Sequence, residues 1–230
     1  MTPILLIPGL ACTAELFAPQ IPVLWSRGPV TVGSTLSGET MPEIAAAILR
    51  DAPPRFALGG VSMGGYLSLE IVRQAPERVL KLALIDTTAR PDTPEMSRLR
   101  RATVAQARSG GFEPVLRQST PNLLHPDHRT DAALIETHVR MGLSVGVEAF
   151  ARQQAAIIAR IDSRPHLPAI TVPTTIMVGD RDLLTPPDRA EEMATAIPGA
   201  RLLVIADSGH TSTLEQPDAV NRALLDWLDV

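Results

Sequence analysis

The chain has 230 residues, of which 45% are hydrophobic and 20% charged, and its formal net charge at pH 7 is −4. This length suits one α/β domain of ordinary size, with room for an inserted subdomain. Basic and acidic residues are interspersed, and no apolar run approaches the roughly 18 residues of a membrane span, so we expect neither a nucleic-acid partner nor a membrane anchor.

The stretch from Ile4 to Cys12 superficially resembles an export signal. No Lys or Arg precedes Arg27, so the positively charged region that such a signal needs is missing. Cys12 is the single cysteine, which excludes an intrachain disulfide and fits a reducing compartment. We therefore expect a cytoplasmic protein.

Short apolar runs alternate with helix-like segments in the first third of the chain. The predicted elements are strand 3–7, helix 14–25, strand 30–33, helix 41–51, strand 56–61, helix 66–74 and strand 80–85. These strands are apolar on both faces, which is typical of a parallel sheet covered by helices on both sides.

The pattern changes between Thr88 and Leu167, where no strand is evident. Four helix-like segments follow one another there, at 95–108, 112–119, 131–142 and 146–161. A helical insert between two parallel strands would lie over the carboxyl ends of the strands, where ligands bind. We therefore predict a helical cap at residues 89–167. The alternative is that two of these helices extend the outer layer of the sheet.

The alternation then resumes and completes the predicted core. Its last elements are strand 174–178, helix 188–196, strand 201–205 and helix 218–228. We predict an α/β core formed by residues 1–88 and 168–230, with three layers, a parallel sheet of about six strands, and helices on both faces.

The segment Gly60-Val61-Ser62-Met63-Gly64 joins the strand at 56–61 to the helix that follows. G-x-S-x-G in a strand–turn–helix setting is typical of a nucleophile elbow, in which a strained turn holds the serine hydroxyl clear of the backbone. The alternative is a glycine-rich loop without a chemical role. We favour the elbow because a buried-type strand leads into it, and we predict Ser62 as the nucleophile.

Candidate partners for Ser62 follow the last two strands. Gly179-Asp180-Arg181-Asp182 comes after strand 174–178, and Ser208-Gly209-His210 comes after strand 201–205. All strands of a parallel sheet end at the same edge, so these side chains can converge on Ser62. Of the five histidines only His210 stands just beyond a core strand with a glycine before it. Asp180, Asp182 and, less favourably, Asp86 are candidate acids.

Together these motifs resemble the α/β-hydrolase superfamily, and in particular its small bacterial esterases, enol-lactonases and carbon–carbon bond hydrolases. The resemblance covers the whole chain except the cap. It implies that Ser62 is the nucleophile and His210 the base, and its Gly179-x-x-Asp182 pattern selects Asp182 over Asp180 as the orienting acid.

Two features depart from the family pattern. Pro8-Gly9 stands where the family usually has His-Gly, although the backbone N–H groups of Leu10 and Met63 can still form an oxyanion hole. The first core strand begins at residue 3, so we expect the α/β-hydrolase fold without its common N-terminal hairpin.

The resemblance implies a serine hydrolase that cleaves a small carboxylic ester or lactone through an acyl-enzyme on Ser62, with no cofactor and no metal. The alternatives are a carbon–carbon bond hydrolase or lyase with the same triad, and a ligand-binding protein without activity on the same fold. The expected partner is a small acyl compound, whose identity the cap would set.

Several further side chains have both a chemical and a structural interpretation, and we favour the structural one for each. Cys12 is interpreted as a packing residue and His138 as a hydrogen-bonded interior histidine. A surface loop, and not a metal site, is predicted for His125 and His128. The remaining residues fall into two groups, a solvated helix face (Arg98, Arg100, Arg101 and Arg108) and the core (Phe150, Ile157 and Ile161).

Overall fold

A computed structural model describes residues 1–229 of the chain. Its strands are β1 (Ile4–Ile7), β2 (Val30–Val32), β3 (Phe56–Val61), β4 (Val79–Ile85), β5 (Thr174–Gly179) and β6 (Arg201–Ile205). Its α-helices are α1 (Ile21–Leu24), α2 (Met41–Asp51), α3 (Met63–Gln74), α4 (Pro94–Gly110), α5 (Phe112–Ser119), α6 (Ala132–Val145), α7 (Val147–Ile158), α8 (Pro187–Ala196), α9 (Ser212–Glu215) and α10 (Pro217–Asp229).

Within residues 1–229 the strands form one parallel sheet of six strands in the order β2-β1-β3-β4-β5-β6. The predicted α/β fold with six strands is therefore confirmed. β1 pairs with β2 on one side and with β3 on the other. The order in which strands are added to the sheet therefore switches from one side of β1 to the other. In open α/β sheets such a switch point is where ligands bind, at the carboxyl ends of the strands.

The core consists of two apolar layers, one on each face of the sheet. Side chains alternate between the faces along a strand, so Leu5 and Ile7 of β1 pack with α2, α3 and α8, whereas Ile4 and Leu6 pack with α1 and α10. β1, β3 and β5 are buried along their whole length, which explains their continuous apolar sequence.

The helix predicted over residues 14–25 is wrong. The structure has a 3-10 turn at Ala14–Phe17 and a separate short helix at Ile21–Leu24. Pro19 stands between them, and a proline inside a helix removes one backbone hydrogen bond and clashes with the preceding turn. Helix α9 was not predicted, and α3 begins three residues earlier than expected, directly after Ser62.

Helices α4 to α7 all lie between β4 and β5, and no strand interrupts them. Thr93 caps α4 by accepting from the Met96 N–H, and Asp131 caps α6 by accepting from the N–H groups of Ala133 and Leu134. The insert packs partly on itself, around Leu116 and Phe150, and partly on the main core through Ile157. Its treatment as a domain with boundaries at 89 and 167 stays a prediction.

No helix within residues 1–229 combines the length and the apolar character that crossing a membrane requires. The cytoplasmic location stays a prediction.

Candidate active site

Three side chains from distant parts of the chain form a continuous line of hydrogen bonds at the carboxyl edge of the sheet. Ser62 Oγ lies 2.8 Å from His210 Nε2, and His210 Nδ1 lies 2.8 Å from Asp182 Oδ2. Ser62 follows β3, Asp182 follows β5, and His210 follows β6. The parallel sheet therefore brings together the three residues that the motifs indicated.

The elbow at Ser62 is a strained and crowded turn. Ser62 has φ of 55°, in the left-handed region that non-glycine residues rarely adopt. Its N–H donates to Ile85 O at 2.9 Å, and its carbonyl accepts from Thr87 Oγ1 at 2.8 Å. A Cβ on Gly64 would lie 2.0 Å from Ile7 O. Only glycine allows this approach between α3 and β1, which is the physical reason for the second glycine of the motif.

The acidic turn after β5 presents Asp182 to the imidazole. Asp182 Oδ1 accepts from the backbone N–H groups of Leu184 and Thr185, and Oδ2 accepts from Thr185 Oγ1 at 2.7 Å. These bonds hold the carboxylate in place while Oδ2 faces His210. A Cβ on Gly179 would lie 2.0 Å from Gly209 O, so glycine is required where the two loops meet.

Asp180 has a different role on the same turn. Its Oδ1 accepts from the Ser208 N–H at 3.1 Å, and no bond joins it to His210 within residues 1–229. It therefore ties the acidic turn to the loop that carries the histidine. The geometry agrees with the choice of Asp182 over Asp180.

The charges of Asp182 and His210 stabilise each other when the imidazole is protonated. Burial opposes the charged form of His210, but the Asp182 carboxylate outweighs it and raises the pKa of His210 above its usual 6.5. Burial likewise opposes ionisation of Asp182, yet the imidazole and the Thr185 hydrogen bonds lower its pKa below the ordinary value. Asp182 therefore stays ionised and can stabilise a charged His210.

Asp86, the least favoured candidate acid, makes no hydrogen bond to His210 within residues 1–229. It is fully buried at the end of β4 and accepts from the Gly179 N–H and from both the N–H and the hydroxyl of Ser212. Burial, followed by the nearby Asp182 charge, raises the pKa of Asp86. Its hydrogen bonds link β4 to β5 and to α9, so its evident role is to hold the loops around His210.

Of the two backbone amides predicted for an oxyanion hole, that of Met63 directly follows Ser62, and that of Leu10 belongs to the loop after β1. Met63 is the first residue of α3, where a helix leaves its N–H groups without intrahelical partners. Leu10 lies in the loop after β1 and lines the cavity above Ser62. No acceptor within residues 1–229 bonds to the N–H of Leu10 or of Met63.

A glutamine of the helical insert holds this loop, and sequence analysis missed it. Ala11, the residue after Leu10, has φ of 55°, and its N–H donates to Gln153 Oε1 at 3.0 Å. Gln153 Nε2 in turn donates to Thr35 Oγ1 at 2.9 Å, and the side chain is buried. Pro8 stands where the family usually has histidine, and here the loop is fastened from α7.

The loop that carries His210 is held by a buried carboxylate that sequence analysis also missed. Glu215 accepts from the N–H groups of Gly209 and His125 and lies 2.9 Å from His128 Nδ1. The His210 N–H donates to Leu123 O. No short motif could have indicated these contacts, because they join α9 to the middle of the insert.

A cavity of about 390 Å³ opens above Ser62. Ser62, His210 and Leu10 lie on its core side, and α4 to α7 supply the opposite wall with mainly apolar side chains, among them Met96, Leu99, Val115, Leu116, Phe150 and Ile157. Apolar walls with a few polar groups are typical of small-molecule sites.

Four of the structural interpretations need correction. His138 is not a hydrogen-bonded interior histidine: it lines the cavity, and its buried Nε2 has no partner within residues 1–229. His125 is buried and not on a surface loop. Arg100 lines the cavity, unlike the exposed Arg98, Arg101 and Arg108. Phe150 and Ile157 are both core and cavity wall, while Ile161 is 51% exposed.

Cys12 lines the cavity, and its Sγ lies 3.3 Å from Leu10 O. Burial raises the pKa of the thiol to about 12, so the nucleophilic thiolate is scarce at neutral pH. Within residues 1–229 no cluster of three or more His, Cys, Asp or Glu side chains is arranged to hold a metal ion.

Comparison with known proteins agrees with the geometry. Residues 39–217 match the family model for the alpha/beta hydrolase fold. A thermophilic esterase from Thermogutta terrifontis, solved with malate bound, is 31% identical with a TM-score of 0.89, over 100% of this chain and 90% of that chain. The enol-lactonase from Burkholderia xenovorans LB400 is 26% identical with a TM-score of 0.89, over 100% and 92%. A protein of Azorhizobium caulinodans with the provisional name carbamate hydrolase RutD is 29% identical, over 97% and 90%.

Proposed function

Because the chain belongs to the α/β-hydrolase family, we propose that it is a serine hydrolase that cleaves a small carboxylic ester or lactone through an acyl-enzyme on Ser62. The observation that carries the proposal is the line of hydrogen bonds from Ser62 through His210 to Asp182 beneath a mainly apolar cavity. The hydrolase class is supported by the relatives, which include an esterase and an enol-lactonase.

The first half of the reaction follows from the hydrogen bonds. Asp182 holds the tautomer of His210 that carries its proton on Nδ1, which leaves Nε2 free to accept the proton of the Ser62 hydroxyl. Ser62 Oγ then attacks the acyl carbon. The negative charge on the carbonyl oxygen is stabilised by the N–H groups of Leu10 and Met63, each worth about 3 kcal/mol in comparable sites.

His210 next donates its proton to the leaving alcohol oxygen, and the acyl group stays on Ser62. Water attacks this ester with His210 again as base, and the acid is released. A lactone follows the same course, except that its leaving alcohol remains part of the product.

The test is hydrolysis of chromogenic acetyl and butyryl esters together with labelling by a fluorophosphonate. We expect Ser62→Ala to abolish labelling and to lower kcat by about 10⁶-fold, as removal of a nucleophilic serine does in related mechanisms. Ser68→Ala is a matched control, since this serine of the same helix is buried and its hydroxyl donates to Gly64 O, its one hydrogen-bond partner within residues 1–229. Wild-type protein that neither turns over esters or lactones nor reacts with the fluorophosphonate would contradict the proposal and favour a binding protein.

A further inference from the structure

The cavity above Ser62 has one arginine and no carboxylate in its wall. Among the lining residues, all within 1–229, Arg100 of α4 is the one Arg or Lys, and none is Asp or Glu. Its side chain is 20% exposed, and its neighbours in the wall are mainly apolar. A charge with so little water around it interacts strongly with an incoming group of opposite sign.

Arg100 and Arg160 both pair with the carboxylate of Asp92. Asp92 Oδ2 accepts from Arg100 Nε at 2.6 Å, and Asp92 Oδ1 accepts from Arg160 Nη1 at 2.6 Å. The side chain of Asp92 is fully buried, and that of Arg160 is 6% exposed. No other carboxylate within residues 1–229 pairs with either arginine, so the cluster of Arg100, Asp92 and Arg160 has a net charge of +1.

Arg100 also has a nitrogen, Nη2, that makes no hydrogen bond within residues 1–229. Nε donates to Asp92 and Nη1 donates to Gln154 Oε1 at 2.9 Å, which orients the guanidinium. A guanidinium has five N–H donors, and within residues 1–229 Nη2 donates to nothing. Burial is the largest influence that lowers the pKa of His210, and the positive charge of Arg100 lowers it as well, so the two side chains interact electrostatically.

We propose that Arg100 binds a free carboxylate of the substrate, so that the cavity selects half-esters of dicarboxylic acids, or lactones that bear a carboxylate, over neutral esters. The inference rests on the proposed function of Ser62 and names its substrate class. One carboxylate neutralises the net charge of the cluster, and its two oxygens match the planar guanidinium.

The experiment compares charged and neutral esters of equal length. Monoethyl esters of succinic, glutaric and adipic acids are paired with ethyl butanoate, pentanoate and hexanoate, and hydrolysis is followed by pH-stat. We expect wild type to prefer at least one half-ester over its neutral partner by tenfold or more in kcat/KM, and Arg100→Gln to lower that ratio by tenfold or more. The variant leaves a neutral Asp92–Arg160 pair, so we expect it to fold.

Arg98→Gln and Arg101→Gln are the matched controls, because both arginines are exposed on the same helix and neither lines the cavity. We expect both to keep the wild-type ratio. If Arg100→Gln lowers kcat/KM equally for the half-ester and the neutral ester, the role of Arg100 is merely structural and the inference is overturned. Wild type that prefers the neutral esters would overturn it as well, while the proposed function would stand.

A binding measurement separates the two proposals. If no ester is hydrolysed and Ser62 is not labelled, the proposed function fails, and calorimetric titration of wild type and Arg100→Gln with glutarate and adipate decides on the anion site. Binding by wild type that is lost in Arg100→Gln supports a carboxylate site at Arg100. Absence of binding by wild type overturns it.

Discussion

Asp180 and Asp182 are two residues apart on one turn, yet they face different partners. Asp182 Oδ2 bonds to His210 Nδ1, whereas Asp180 Oδ1 bonds to the Ser208 N–H. The two side chains therefore leave the turn in different directions. The Thr185 hydroxyl donates to Asp182 Oδ2 and holds that carboxylate where it faces the imidazole. At this scale the proposed function depends on one hydrogen bond that fixes the tautomer of a histidine.

We predict that Asp182→Asn lowers kcat far more than Asp180→Asn does. An amide at 182 favours the wrong tautomer of His210 and cannot stabilise its charge, which costs about 10⁴-fold in comparable triads. An amide at 180 can still accept from the Ser208 N–H, so we expect a change of roughly threefold or less. The measurement is kcat on the best ester of the wild type. A larger loss at 180 than at 182 would assign the acid to Asp180.

At the scale of elements, the insert does more than cover the cavity, because α7 fastens the loop that follows β1. Gln153 joins Ala11 to Thr35, and the N–H of Leu10 stands one residue away from this bond. α9 fastens the loop of His210 in the same manner, through Glu215. The positions of the proposed oxyanion donor at Leu10 and of the proposed base are therefore set by contacts between elements and not by their own loops alone.

We predict that Gln153→Met lowers kcat by about 10- to 100-fold, because a loop that is no longer fastened holds one oxyanion donor less well, and loss of one donor entirely costs 10²–10³. KM should change little. Gln153→Glu keeps an acceptor for the Ala11 N–H and should lose less. Steady-state kinetics, with melting temperatures as a check of folding, tests this. Unchanged kcat in a folded Gln153→Met protein would show that the loop needs no support from α7.

At the scale of the whole molecule, the insert buries the imidazole of His138 between itself and the sheet. His138 of α6 is 5% exposed, and its buried Nε2 has no hydrogen-bond partner within residues 1–229. Burial, and then the charge of His210, lower the pKa of His138 from 6.5 to about 4. The folded protein therefore resists protonation of this group, whereas the unfolded chain does not.

We predict that His138 makes the fold sensitive to acid. Its contribution to stability is complete above pH 6.5 and is lost as the pH falls toward 4, by about 3 kcal/mol for a shift of this size. His138→Phe should therefore lose less unfolding free energy than wild type between pH 7.5 and pH 4. Urea unfolding at both values measures this, with His166→Gln as a control at an exposed histidine. Parallel loss in wild type and His138→Phe would contradict the prediction.

The parts of the fold that depend on local backbone could be predicted from the sequence. Continuous apolar strands predicted the parallel sheet, and the turn sequences around Ser62, Asp182 and His210 indicated the residues that meet, because such turns need glycine at set positions. The continuous helix predicted at 14–25 is wrong because Pro19 interrupts it.

The side chains that support and line the site could be recognised only in the folded protein. Gln153 bonds to a residue 142 positions away, and Glu215 to one 90 positions away. In the sequence, Arg100 and His138 have no feature that separates them from other helix residues, yet both line the cavity that forms between the insert and the sheet. Periodicity shows which face of a helix is apolar, but it does not show whether that face meets solid core or the wall of a cavity.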